Sequence, residues 1–107
     1  MVKVIVLFRG LGQRALYDEQ FNQFLIMAED LPGLQRKSVN TIFGGPGGPA
    51  PFQASVELFF ADRPALEGAL PSPEGIKAGA FLLEFAGSDA LVMFAEVLEA
   101  VYHQGAD

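Results

Sequence analysis

No cysteine and no tryptophan occur among the 107 residues, and histidine occurs once. Without cysteine there is no disulfide framework, no thiolate metal site and no thiol nucleophile, and the composition suits a reducing compartment. Basic residues are scarce: seven Lys and Arg stand against thirteen Asp and Glu, for a net charge of −6. Nucleic-acid binding needs Lys and Arg to neutralise phosphates; the few present are scattered, so no nucleic-acid partner is expected. Long apolar runs are missing as well. The opening stretch, Val2 and Val4 to Phe8, is far short of the ~20 residues a membrane helix needs. It also lacks the basic flank and small-residue cleavage site of an export signal. The chain reads as cytoplasmic, with no membrane contact.

What is present is apolar bulk. Half of the residues are hydrophobic and ten are Phe. The length suits one domain, 1–107, because domains commonly hold about 100–150 residues. Chains this short bury a modest share of their surface. So large an apolar fraction predicts that a second copy covers part of it, as a homodimer.

The pattern along the chain alternates between periods of two and of 3.6. Val2 to Arg9 is a β-branched run bounded by Gly10 and Gly12, hence a strand. Val2, Val4, Val6 and Phe8 share one face and Ile5 and Leu7 the other, so both faces are expected to be buried. From about Ala15 to Leu31 the apolar positions Leu16, Phe21, Phe24, Leu25, Ala28 and Leu31 recur at helical spacing. Leu31-Pro32-Gly33 stops that helix. A second strand is expected in Leu34 to Phe43, then a Gly/Pro loop over Gly44 to Pro51, then a third strand from Phe52 to Ala61. In that strand Phe52, Ala54, Val56, Leu58 and Phe60 face one way and Gln53, Ser55, Glu57 and Phe59 the other. Asp62 caps a short helix whose first turn admits Pro64. Ser72, followed by Pro73 and Glu74, caps a longer one running through Ile76, Ala80 and Leu83 toward Phe85, ended by Gly87 and Ser88. Ala90 to Glu99 is compatible with helix or strand, and the preceding turn favours a last strand. The order β-α-β-β-α-β is the ferredoxin-like, split βαβ arrangement: an α+β fold with four antiparallel strands and helices on one face. The doubly apolar first strand then predicts that a second copy packs on the other face, closing a dimeric α/β barrel.

Few motifs carry chemistry. Gly10-Leu11-Gly12-Gln13-Arg14-Ala15 follows a strand and matches G-x-G-x-x-A, but Asp30, about twenty residues on, falls at a helix end, and the chain is too short for a second half of a dinucleotide fold. A flexible turn is the reading, and no cofactor is expected. Gly44 to Pro51 lacks the Lys-Ser or Lys-Thr of a phosphate loop and reads as a hairpin connection. His103, beside Tyr102 in the tail, lacks an orienting partner and reads as a solvated or interface residue. No Ser-His-Asp set, carboxylate pair or metal-ligand cluster can be assembled. Glu57, mid-strand among apolar neighbours, is the candidate base, since burial raises a carboxyl pKa. Its alternative is a structural polar cluster in a dimer interface, paired with Arg9 or Lys37. The Phe21, Phe24 and Phe81, Phe85 pairs have the spacing of core stripes, and such aromatic walls also line pockets for apolar ligands. The candidate ligand contacts are Phe8, Tyr17, Phe24, Phe81 and Glu84.

Three stretches together resemble the EthD family: VKVIVLFRG at the start, Leu31-Pro32-Gly33-Leu34, and Ala69 to Ala80 with its Ser72-Pro73-Glu74-Gly75 core. Their order and spacing match over nearly the whole chain. The resemblance implies a dimeric α/β barrel that binds a small hydrophobic or aromatic molecule in a cleft of each protomer. It also implies an oxidoreductase association with degradation pathways, and related barrels include cofactor-free monooxygenases and isomerases. Family members commonly carry a His followed by Pro-Leu on the first helix. Here Gln23-Phe24-Leu25-Ile26-Met27 occupies that region without a histidine, and the turn after the first strand is shorter than usual. The expected function is therefore small-molecule binding, with cofactor-free oxidoreductase or isomerase chemistry, or a non-catalytic ligand-binding or accessory dimer on the same fold.

Overall fold

A computed structural model of the chain describes residues 1–9 and 19–99. The Gly10–Ala15 motif, Tyr17, Tyr102 and His103 lie outside the described residues.

Strand β1 (Val2–Phe8) is flanked on both sides within a four-stranded sheet. It pairs antiparallel with β3 (Ala54–Phe60) and with β4 (Ala90–Glu96), while β2 (Arg36–Thr41) pairs only with β3, giving the order β2-β3-β1-β4. This is the four-stranded ferredoxin-like sheet read from the sequence. Ala90–Glu96 resolves the helix-or-strand ambiguity as strand, because both flanks of β1 demand a ladder partner. The strands end earlier than the apolar runs suggest, at Thr41 rather than Phe43 and at Glu96 rather than Glu99.

Helix α1 is described over Glu19–Ala28, burying Phe21, Phe24 and Ala28 on one stripe. It ends before Leu31: Glu29, Asp30 and Leu31 instead donate to carbonyls three residues back, a tightening turn. Gly33 then takes φ +80, a conformation open to glycine at no steric cost. Helix α2 (Arg63–Ala69) begins where the Asp62 carboxylate accepts from Ala65 N at 2.9 Å. Helix α3 (Pro73–Ala86) begins where Ser72 Oγ accepts from Gly75 N at 3.0 Å, and Gly87 (φ +54) ends it. Both caps stand where the sequence puts them, because Pro in the first turn lacks only an N–H that has no partner there.

The core lies between the sheet and these helices. Val2, Val4, Val6 and Phe8 of β1 and Ala54, Val56, Leu58 and Phe60 of β3 point into it. Registered pairs share a face, so the opposite, helix-free face holds Lys3, Ile5 and Leu7, Ser55, Glu57 and Phe59, and Leu91, Met93 and Ala95. The expectation that both faces of β1 are buried holds on the helix side. On the open face of one protomer, Ile5 and Leu7 are half-buried.

Candidate functional site

Where α1, α3 and the end of β1 meet, phenylalanines form a continuous cluster. Phe8 has no exposed surface and touches Phe21 edge-on at 5.1 Å between centroids, Phe24 at 6.2 Å, and Phe85 in a stacked arrangement at 6.2 Å. Phe85 in turn meets Phe24 at 6.2 Å and Phe81 at 5.4 Å. The cluster exists because Phe21 and Phe24 fall three apart on α1, and Phe81 and Phe85 four apart on α3, so each pair projects from one stripe. Phe21 and Phe24 are buried, whereas Phe81 and Phe85 stay partly open. Of the candidate ligand contacts, the structure therefore brings Phe8, Phe24 and Phe81 into one body of rings. Glu84 is exposed on α3 one residue before Phe85, at the rim of that body. Tyr17 falls in the segment between Arg9 and Glu19, outside the described residues.

Glu57 is elsewhere. It lies on the helix-free face, opposite Ile5 in the β1–β3 ladder, so the thickness of the sheet separates it from the phenylalanines. Its Oε2 accepts from Lys3 Nζ at 2.9 Å, both side chains being roughly four-fifths buried (relative exposure 23% and 22%). The expected structural partners, Arg9 and Lys37, are both engaged elsewhere. Arg9 donates to the Ser88 carbonyl at 3.4 Å, and Lys37 pairs with Glu29 at the end of α1. The reason is face: Lys37 stands opposite Leu58, on the helix side of the sheet, where Glu57 cannot reach it. Around Glu57 the open face continues its polar pairing. Asn40 Nδ2 donates to Ser55 Oγ at 3.0 Å, and Arg36 stacks its guanidinium over the Phe59 ring at 4.0 Å.

Two features escape the sequence. Gln53 Oε1 is buried and has no hydrogen-bond partner, although the backbone of Gln53 is locked at the sheet end, its N–H donating to Phe8 O at 2.8 Å and its carbonyl accepting from Ile42 at 2.9 Å. Its place on the Ser55–Glu57 face was legible, but the absence of a donor was not. A cleft of about 310 Å³ between α2 and β4 is floored by Val2, Leu66, Leu70 and Phe94 and rimmed by the Arg63–Glu96 ion pair at 2.6 Å. None of the candidate residues lines it. Among the described residues no three His, Cys, Asp or Glu side chains cluster to hold a metal ion, and no helix is long and apolar enough to cross a membrane.

Comparison with known proteins gives the fold its company. No family model and no curated protein matches the chain. Among solved structures, an ethyl tert-butyl ether D (EthD) family protein from Bacillus halodurans C-125 is similar at 30% identity and TM-score 0.85, covering 92% of this chain and 99% of its own. A dimeric ferredoxin-like protein of unknown function from Jannaschia sp. CCS1 aligns at 19% identity and TM-score 0.68, covering 90% of this chain and 98% of its own. SnoaB, a cofactor-independent oxygenase from Streptomyces nogalater, aligns at 14% identity and TM-score 0.68 over 95% of this chain and 97% of its own. At these last two identities the likeness is one of fold.

Proposed function

The chain belongs to the EthD family, and from that premise we propose that it binds a small apolar or aromatic molecule against the Phe81–Phe85 edge of the phenylalanine cluster. The observation that carries this reading is the gradient of burial across the rings. Phe8, Phe21 and Phe24 form a closed wall, while Phe81 and Phe85 remain partly open on α3. A wall of aromatic faces and edges receives another ring at the same 4.5–7 Å centroid spacings that hold it together. Glu84 and Tyr17 are the polar residues proposed at its border. The resemblance in fold to a cofactor-independent oxygenase supports chemistry on the bound molecule, oxidative or isomerising, without a bound cofactor.

A second reading, binding without turnover, has its own support. Glu57 is neutralised by Lys3 and stands across the sheet from the aromatic wall. A base must come within hydrogen-bond reach of the proton it takes, so a ligand seated on the rings is out of reach of Glu57 in the same protomer. The proposed assembly is a homodimer through the helix-free face, in keeping with the dimeric description of the Jannaschia protein, and the proposed setting is the cytoplasm.

Native mass spectrometry of freshly purified protein, set against the denatured mass, tests the binding reading. Retained small-molecule mass that is lost in Phe81→Ala supports it. So does a roughly fivefold weaker affinity of that variant for an added aromatic probe, the size of effect expected when one ring contact of about 1 kcal/mol is removed. Binding that is unchanged in Phe81→Ala moves the ligand away from these rings.

A further inference from the structure

The core face of the sheet runs on past its cover. On the helix side Val2, Val4 and Val6 of β1 are buried, but Phe94 and Val92, opposite Val4 and Val6 on β4, keep 60% and 48% of their surface exposed. Registered pairs share a face, so these two side chains carry the apolar floor of the core into the open. Phe94 also floors the cleft of about 310 Å³ between α2 and β4, where Val2, Leu66 and Leu70 complete the apolar lining and the Arg63–Glu96 ion pair stands at the rim. Contiguous apolar surface rimmed by charge marks a place that another group covers.

The chain leaves the sheet at this same cleft. Val97 N–H still donates to the Met1 carbonyl at 2.9 Å, next to Glu96 of the rim, and Leu98 after it is 98% exposed. Beyond Glu99 the sequence runs Ala100-Val101-Tyr102-His103-Gln104-Gly105-Ala106-Asp107, outside the described residues. Its large apolar side chains, Val101 and Tyr102, come within three residues of Glu99. A stretch of this length spans at most about 26–29 Å, and a strand as long as β4 covers about 23 Å, so the segment can turn back along β4 as far as Phe94.

We propose that residues 100–107 fold back over the helix side of β4 in the same protomer, placing the Tyr102 ring in the cleft against Phe94 and Leu70. A tyrosine suits a site that is apolar at its floor and charged at its rim, because its ring is buried while its hydroxyl stays wet. Tethering favours this occupant, since a segment joined to Glu96 by a few residues is present at high effective concentration. The cleft lies at the Val2 end of β1, away from the phenylalanine cluster at Phe8, so the inference is independent of the binding reading above.

The chain has no cysteine, so an introduced pair of thiols meets no competitor. Leu70→Cys combined with His103→Cys, which keeps Tyr102, is expected to close a disulfide within one chain under mild oxidation. The control is Phe43→Cys with His103→Cys, because Phe43 follows β2 at the opposite edge and opposite end of the sheet. A docked segment should make the first pair close at least about tenfold faster than the control, through the higher effective concentration of its thiols. Equal rates would show that the segment does not dock and would overturn the inference. So would a disulfide joining position 70 of one chain to position 103 of another, found by peptide mapping, since the segment would then cover a second copy. A readout that leaves the cleft unaltered comes from Tyr17→Phe, in which Tyr102 is the only tyrosine of a chain without tryptophan. Acrylamide is expected to quench its fluorescence clearly less than that of free tyrosinamide, and equal quenching would overturn the docking even if the cysteine variants fold poorly.

Discussion

At Gly75 the chain has no room for a side chain. A Cβ there would overlap the carbonyl oxygens of both Ala69 and Leu70, which are main chain and cannot swing aside. The cause is the tight passage from α2 to α3. Ser72 caps α3 by accepting from Gly75 N–H, its own hydroxyl donates back to the Ala69 carbonyl, and the first turn of α3 is thereby drawn against the last turn of α2. Gly75→Ala is therefore expected to destabilise the fold by about 2–4 kcal/mol, in the range of overpacking and lost-cap effects combined. That would appear as a lower urea midpoint at unchanged slope, and an unchanged midpoint would show that the two helices separate easily. The same geometry explains in physical terms why Ser72-Pro73-Glu74-Gly75 is so distinctive a string. Its Ser, Pro and Gly answer three separate demands of one corner: a cap, a first-turn residue needing no N–H partner, and a close approach. The Glu57–Lys3 pair is a weaker feature. Its members are partly exposed, so Glu57→Gln should cost no more than about 1 kcal/mol. If Glu57 were the base of a reaction, the same change would abolish turnover of the identified ligand. Turnover equal to wild type would leave Glu57 a structural partner only.

Elements differ in how plainly the sequence announces them. The run Val2–Phe8 is a strand because its residues are β-branched and alternate, and the even positions are buried as that alternation requires. The caps of α2 and α3 follow from Asp62 and Ser72 with Pro in each first turn, all readable within four residues. The phenylalanine stripes on α1 and α3 are equally local. What they touch is not: the rings of Phe8 and Phe85, or of Phe24 and Phe85, meet only once the two helices lie side by side on the sheet. The partner of Glu57 was missed for the same reason. Lys3 lies 54 residues away, diagonal to Glu57 across a ladder in which Ile5 is the residue directly opposite. A strand slip of two residues would keep every residue on its face while changing which residue stands opposite Glu57. Periodicity thus specifies the face a residue occupies without specifying its neighbour. The faces of β1 and β3 were legible, but the face of Lys37 on β2 and the register that brings Lys3 to Glu57 were not.

The whole molecule leaves a second apolar layer incomplete. On the helix-free face Ile5 and Leu7 of β1 adjoin Leu91 and Met93 of the edge strand β4, and Met93 keeps 43% of its surface exposed. An edge strand with apolar side chains is a site for unwanted pairing unless something covers it, and β4 carries no Lys, Arg or Pro to discourage pairing. A second copy packed by its own helix-free face covers these residues on both protomers at once, since a two-fold interface uses the same patch twice. The polar half of the face, from Ser38 and Asn40 through Glu57 and Lys3, would then fix the orientation of the two sheets, with the Asn40–Ser55 and Lys3–Glu57 side chains already paired within each copy. Leu7→Glu places a charge at the centre of that contact while leaving the helix-side core untouched. The expected result is a folded monomer at micromolar concentration where wild type is a dimer, read by light scattering behind size exclusion together with circular dichroism. If Leu7→Glu remains a dimer, the two copies meet through another surface. If wild type is itself a folded monomer, the apolar open face is tolerated by one copy alone and the barrel between protomers does not form.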